Sequence, residues 1–347
     1  MGLRAYIVRR TLLVIPTLIG VTLLVFAVVQ VLTPEQRAAL YVTSEKEARD
    51  IEEIIEKYRL RDPVYIQYFH WMEQILRGNL GYNMKSPRGP VLDIILRRAP
   101  ASAELCMFAA PIIVILGIYL GVKSAVHRDK LIDHVTRTTS IIGWSLPSFW
   151  LGILLLAIFY AGFGLFPPGR LRPDLQYFVF SPASGWNSYT GLYTIDGLLN
   201  GRPDITFDAL KHLVLPVMSL TIQIIAMLVR IMRSSMLESL SKGYIVTARA
   251  KGLSQSEVIN KHARRNALIP VITLSGMLIA GLVTGVVITE TIFNYPGLGQ
   301  FAAHAALPPP SMPAVLGFAL FTGVIFILAN LIVDIVYAYI DPRIKLG

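Results

Sequence analysis

The chain has a single cysteine in 347 residues, Cys106, so it has no internal disulfide and no Cys-x-x-Cys metal or redox site. Six histidines, His70, His127, His134, His212, His262 and His304, never fall at metal-ligand spacing. His-Glu-x-x-His and Gly-x-Ser-x-Gly are both missing, which leaves a metalloenzyme or a hydrolase without support. GIYLGVKS, Gly117 to Ser124, comes near a phosphate-binding loop, but Val122 stands where that loop needs glycine and no strand precedes it. The expectation is a chain without catalytic residues, metal ligands or a cofactor of its own. Charge is scarce too, at 16% of residues, and acids are outnumbered 22 to 32 for a net charge of +10. The bases are scattered in short segments beside apolar runs, without a patch of interleaved aromatics, which argues against nucleic acid and for a membrane.

What the chain has in quantity is apolar sequence, 54% of residues with a mean hydropathy of +0.57. A bilayer core about 30 Å thick needs roughly 20 apolar residues in a helix, because backbone polar groups in lipid must bond within their own segment. Six runs reach that length, at 10–32, 104–126, 135–163, 213–232, 271–292 and 315–339, and the third is expected to kink at Pro147. The fold class expected is therefore an all-α integral membrane protein with six transmembrane helices. The charge-free run from Thr11 to Leu32 is about twice the apolar core of a signal peptide, so it reads as a retained span.

Short segments at one side hold 17 of the 32 Lys and Arg: Arg4, Arg9 and Arg10; Lys123, Arg128, Lys130 and Arg137; eight from Arg230 to Arg265; Arg343 and Lys345. The positive-inside rule then places both termini and the loop at about 234–269 in the cytoplasm. Between the first two spans lies an outer helical insertion, giving a division into 1–100 (first span and insertion) and 101–347 (five-helix core). Ser44-x-x-Glu47 is a capping box ahead of Ile51, Ile54, Ile55 and Tyr58, and a second helix is expected from about Val64 to Arg77, closed by Gly78. Its aromatics, Tyr65, Tyr68, Phe69 and Trp71, leave three readings open: packing on the spans, the membrane interface, or a partner protein. The second outer segment, Gly164 to Lys211, offers no chemistry. Gly117-x-x-x-Gly121 and Gly281-x-x-x-Gly285 suit close helix packing. Asp334, an acid inside a span, is expected to form a structural ion pair with Arg230 or Arg233 in preference to a proton relay.

The most informative stretch is KGYIVTARAKGLSQSEVINKHARRNALIP, with six Lys or Arg between Lys242 and Pro270 and one acid, Glu257. Tyr244 to Lys251 has helix-forming composition, Gly252 suits a left-handed C-terminal position, and Ser254-x-x-Glu257 starts a second helix expected to run to about Leu268. Anionic lipid explains the bases but not a glycine corner with a capped second arm. Such a knuckle is shaped to seat in a cleft of another protein.

TARAKGL followed by KHARRNALIPVIT resembles the EAA-type loop of ABC-importer permeases, within them the B-type subunit of the dipeptide/oligopeptide/nickel group. RRTLLVIPTLIGVTLLVF, SLPSFWLGILLL, ETIFNYPGLGQF and LANLIVDIVYAYIDPRIK extend the resemblance over nearly the whole chain. It implies a type I importer permease fold, in the inner or plasma membrane, with four kinds of partner: a second (C-type) permease, two cytoplasmic ABC ATPases that bind ATP and Mg, an extracytoplasmic solute-binding protein, and membrane lipid. It also implies that Thr247, Ala248, Arg249, Ala250, Lys251, Gly252 and Leu253 contact an ATPase. Val246 stands where the wider pattern has glutamate, so Arg249 or Lys251 is left as the polar contact. HAALPPPSMP replaces the outer sequence usual in the group, so no binding-protein contact is carried over there. Ser145, Pro147, Phe149 and Trp150 of SLPSFW, and Pro296, Gly297 and Gly299 of PGLGQF, are candidates for a kink and an outer gate on the pathway. Short peptides, oligosaccharides and nickel stay open as substrates, and a receptor or scaffold that transports nothing stays open as a different class.

Overall fold

The computed structural model describes residues 3–42, 44, 46, 47 and 50–340, so Arg343 and Lys345 lie outside the described residues. In chain order the helices are α1 (Leu3–Val29), α2 (Pro34–Ala38), α3 (Ile51–Lys57), α4 (Val64–Leu76), α5 (Val91–Val126), α6 (Leu131–Ser145), α7 (Ser148–Leu155, continued by a π-helical turn to Gly162), α8 (Pro173–Phe180) and α9 (Tyr193–Leu199). They continue with α10 (Pro203–Leu240), α11 (Gly243–Ala250), α12 (Gln255–Glu257), α13 (Arg264–Val283), α14 (Val287–Ile292), α15 (Leu298–Ala306) and α16 (Met312–Ile340). Among the described residues the strands are two antiparallel dipeptides, β1 (Tyr82–Asn83) and β2 (Gly89–Pro90).

Among the described residues, five helices are long and apolar enough to cross a membrane: Ile7–Val29, Val91–Val126, Pro203–Leu240, Gln255–Val283 and Met312–Ile335. A sixth forms if α6 and the segment Ser148–Gly162, which meet at 102°, are one broken span. The fold is the expected all-α membrane bundle, with three corrections. Pro147 marks a break, not a kink: Leu146 (ψ 129°) and Pro147 (ψ 135°) are both extended, as the clash of a proline ring with the preceding residue favours. The fifth span stops at Val283 instead of 292, ended by Gly285 at φ +102°. The second and fourth spans are much longer than expected. At 36 and 38 residues, α5 and α10 are each more than about 50 Å long and project well past a hydrocarbon core of about 30 Å. The division expected at 100/101 falls inside α5, which runs through it unbroken.

The centre of the bundle is α5 against α10, with α13 packed on both, α6 beside them, α16 on α13, and α1 on α16. Gly117 and Gly121 make the central contact possible, since a Cβ there would lie 2.7 Å from Leu228 Cβ and 2.5 Å from Met232 Cβ. The other expected glycine pair does not pack span on span, although a Cβ on Gly285 would lie 2.8 Å from Gly299 N. Gly281 has no neighbour within 4 Å of a built Cβ and Gly285 ends its helix, while Gly276 takes the close approach, against Val333.

The insertion between α1 and α5 caps one end of the bundle, the insertion end; α11 sits at the other, the corner end. In the insertion, Ser44 Oγ accepts from Glu47 N at 3.4 Å, but the helix begins only at Ile51, capped by Asp50 at Glu53 N. The apolar positions set that start, because Ile54 and Ile55 are buried one turn in. The second insertion helix, α4, matches its expected limits, with Gly78 at φ +81° closing it.

Candidate coupling corner and buried polar clusters

At the corner end, α10 passes through Ser241 and Lys242 into α11. Ile245 and Ala248, three residues apart on one face, are buried in the same apolar cluster as Met236, Val258 and Ala263. The opposite face, Val246, Thr247, Arg249, Ala250 and Lys251, is exposed. Gly252 then turns the chain at φ +77°, with Gly252 N donating to Arg249 O (2.9 Å) and Leu253 N to Ala248 O (3.4 Å). A Cβ on Gly252 would meet nothing within 4 Å, so the demand for glycine here is conformational, not spatial. Ser254 Oγ accepts from Glu257 N (3.3 Å) and donates to Glu257 Oε2 (3.1 Å), and Lys261 pairs with Glu257 at 2.9 Å.

Beyond the cap the structure departs from expectation. The second arm does not end near Leu268. It continues through a π-helical turn (Val258–Ala263) and past Pro270 as one membrane-length helix from Gln255 to Val283, 29 residues and about 43 Å. One arm of the corner is thus the base of the fifth span. The other arm is tied to it by Ser239, whose hydroxyl donates to Ala263 O at 2.9 Å and meets the Tyr244 hydroxyl. Of the seven residues read as a partner contact, Thr247, Arg249, Ala250, Lys251 and Gly252 are exposed, Leu253 is half-buried, and Ala248 faces inward to hold the corner on its own chain.

A clamp lies near the same end. Asp133, with no exposed surface, accepts Arg233 Nε and Nη2 (both 2.7 Å), Ser124 Oγ (2.5 Å) and Asp129 N (3.0 Å), which joins α6, α10 and the end of α5. Arg233 is therefore not the partner of Asp334. Asp334 Oδ2 lies 3.2 Å from Arg10 Nη1, because α16 packs on α1 and α13, and Arg230 is exposed.

Among the described residues the insertion end holds three more buried carboxylates: Asp196 on α9, which accepts from Thr190 and Gly191, and Glu104 and Glu290, which lie on or against α5. Glu104 accepts Arg170 Nε (3.0 Å) and Nη2 (2.6 Å), Tyr295 Oη (2.9 Å), and Thr194 N (2.9 Å) and Oγ1 (2.8 Å). Burial by itself would lower the Arg170 guanidinium; the Glu104 carboxylate beside it outweighs that and holds it above its ordinary value. Tyr193 lies under the guanidinium, 4.0 Å from its ring centroid. The segment Gly164–Lys211 thus supplies chemistry that its composition concealed. Glu290 accepts Ser102 Oγ (2.7 Å), Gln300 N (2.9 Å) and Val286 N (3.2 Å), while Ser102 Oγ also accepts from Leu298 N (2.8 Å).

These bonds enclose PGLGQ. Gly297 and Gly299 are buried and Pro296 is half-buried; a Cβ on Gly297 would lie 2.5 Å from both Glu290 Oε2 and Ser102 Oγ. Ser145, Pro147, Phe149 and Trp150, by contrast, are all exposed on the broken span, while Leu151 and Leu155 on its other face pack with Leu215 and Phe293. The buried ion pairs join residues 66 and 100 positions apart, so nothing in local spacing announces them; the one available sign was a carboxylate, Glu104, opening an apolar run.

Two family comparisons cover the chain. Residues 113–346 match the binding-protein-dependent transport system inner membrane component family, and residues 3–112 match the N-terminal part of such membrane components. The dipeptide transport system permease protein DppB of Alkalihalophilus pseudofirmus is 36% identical over 342 residues, 98% of this chain and 99% of that protein. The oligopeptide transport system permease protein AppB of Bacillus subtilis is 35% identical over 341 residues, 98% and 99% of the two chains. The DppB of Escherichia coli is 37% identical over 344 residues, 98% of each.

Proposed function

Because the chain belongs to the binding-protein-dependent transport system inner membrane component family, we propose that it is one of two permeases in an ATP-driven importer of short peptides, moved by ATPases docked on the α11 corner. The peptide substrate rests on the near-full-length similarity to dipeptide and oligopeptide permeases. The corner's role rests on one observation: an exposed, capped turn whose second arm is the same rigid helix as the fifth span, from Gln255 to Val283. The chain supplies no catalytic residue and binds no nucleotide; ATP and Mg belong to two cytoplasmic ATPases. A second, C-type permease completes the pathway and an outer solute-binding protein delivers the peptide. The termini and the corner are cytoplasmic, as the basic segments argue.

Thr247, Arg249, Ala250 and Lys251 form the seat, with Arg249 and Lys251 as its polar contacts. When the ATPases close on ATP, the corner moves with them and carries α13 and α10, its two arms. Arg233 on α10 draws α6 along through Asp133, so the broken span moves with the corner too. That span's exposed residues, Ser145, Pro147, Phe149 and Trp150, then line the side facing the partner permease, where the pathway opens outward; hydrolysis reverses the tilt. Glu104 and Glu290 keep the insertion end together while it does so.

Copurification tests this reading. Gentle extraction of the tagged chain is expected to bring a second permease and two P-loop ATPases, and the reconstituted assembly is expected to hydrolyse ATP faster when a peptide-loaded binding protein is added. A chain recovered alone, with no ATPase bound, would argue for a scaffold instead.

A further inference from the structure

The insertion helix α4 is not explained by coupling or by the pathway. Three faces divide it. One face lies on the spans: Tyr68 Oη bonds Thr22 Oγ1 at 3.0 Å, Trp71 sits 5.3 Å from Phe26 between ring centroids, and Ile75 packs on the apolar cluster that holds Leu316 and Leu320 and lines a small cavity with them. Thr22 and Phe26 belong to the last two turns of α1, and Leu316 and Leu320 to the first turns of α16. Helix α4 therefore crosses two neighbouring spans, and touches both about 5–12 Å inside their ends at a rise of 1.5 Å per residue.

The second face is a ridge of polar groups, with Arg77 paired to Glu73 at 2.5 Å and His70 3.9 Å from Glu73. The third is an apolar stripe. Tyr65, Phe69 and Leu76 are 66%, 70% and 81% exposed, and with half-buried Met72 they fall within about 60° of one another at 3.6 residues per turn. This stripe points away from the spans yet sits at their depth. In the same stretch of α1 as Thr22 and Phe26, the apolar side chains of Leu23, Leu24 and Val28 are exposed as well.

We propose that α4 is an interfacial membrane helix whose Tyr65, Phe69, Met72 and Leu76 stripe is buried at the boundary between lipid headgroups and acyl chains. A helix with one apolar stripe and one charged ridge lies in the plane of that boundary, and here the depth is fixed by the bonds to α1 and α16. The inference rests only on the chain spanning a membrane, not on the direction or substrate of transport. Its consequence is a lateral brace: α4 ties α1 to α16 and rests their paired ends on the lipid surface.

The test uses the whole transporter in vesicles of phosphatidylethanolamine and phosphatidylglycerol. Single cysteines at Phe69, Leu76 and Glu73, in a Cys106→Ser background that retains uptake, carry a fluorophore. Loss of fluorescence to a lipid nitroxide placed at the top of the acyl chain is expected at 69 and 76, and loss to aqueous iodide is expected at 73. Iodide quenching at 69 and 76 would overturn the proposal, as would shielding of both from lipid and iodide alike, which would assign the stripe to a protein partner. Wild-type transporter irradiated with a diazirine-bearing phospholipid removes any dependence on the variants. Peptides covering 64–77 are expected to carry adducts at Tyr65, Phe69, Met72 or Leu76, with or without the binding protein; absence of adducts there, beside labelled α1, would refute it.

Discussion

The two ends of the bundle are built differently. At the insertion end, Glu104 and Glu290 together bind α5, α9, the loop at Arg170 and the segment from Val286 to Gln300, in a web of buried charge-assisted bonds. At the corner end one clamp, Asp133–Arg233, and one hydroxyl, Ser239, hold the arms, and beyond them the chain is exposed on the outward face of α11. The difference teaches where rigidity is placed. A buried carboxylate is tolerated only when fully answered, so such groups fix geometry where they cluster; the corner carries none and owes its shape to a cap and one left-handed residue.

The contrast breaks most readily at Glu104. Glu104→Leu strands a buried guanidinium, at a cost of about 3–5 kcal/mol, and is expected to lower the thermal unfolding midpoint of the purified transporter sharply. Asp133→Asn comes next. Arg233 is 20% exposed, so part of its charge is solvated and the loss is expected nearer about 2 kcal/mol; transport should fall more than stability, because α6 no longer follows α10. Equal losses at Glu104 and Asp133 would erase the distinction between the ends. Gly252→Val forces a β-branched residue into the left-handed region, a local strain of about 1–2 kcal/mol. Membrane insertion and ATP hydrolysis are expected to persist while peptide uptake drops, and normal uptake would mean the corner is no handle. The smallest effect belongs to Asp334→Asn, since the half-exposed pair with Arg10 stabilises by less than about 1 kcal/mol; assembly and uptake should both stay near wild type.

Much of this was legible in the sequence. Apolar length found the spans, and the run Gly252-Leu-Ser-x-x-Glu257 located the corner, because turns and caps are local and the residues that make them sit side by side. Helix ends were less legible. Val91–Glu104 and Pro203–Leu213 look polar by the standard of a span, yet they continue α5 and α10 beyond the lipid, where hydropathy no longer marks the helix. Pro270 reads as a helix start and is instead carried inside a longer helix, as happens where neighbouring helices support the backbone. Ion-pair partners were the least legible. Arg233 and Arg10 are both bases near one end of a span, and which of them meets Asp334 depends on α16 packing on α1, a fact of topology that spacing does not encode.

The central claim is that the exposed face of α11 seats in an ATPase and moves with it. A cysteine at Thr247, in a Cys106→Ser chain assembled with its partners, tests it most directly by crosslinking during turnover. A crosslink to an ATPase subunit that persists through the cycle is expected, with residue 247 closed to impermeant reagents from the outside of intact cells. Labelling of residue 247 from outside, or full uptake with no ATPase within reach of it, would contradict the account.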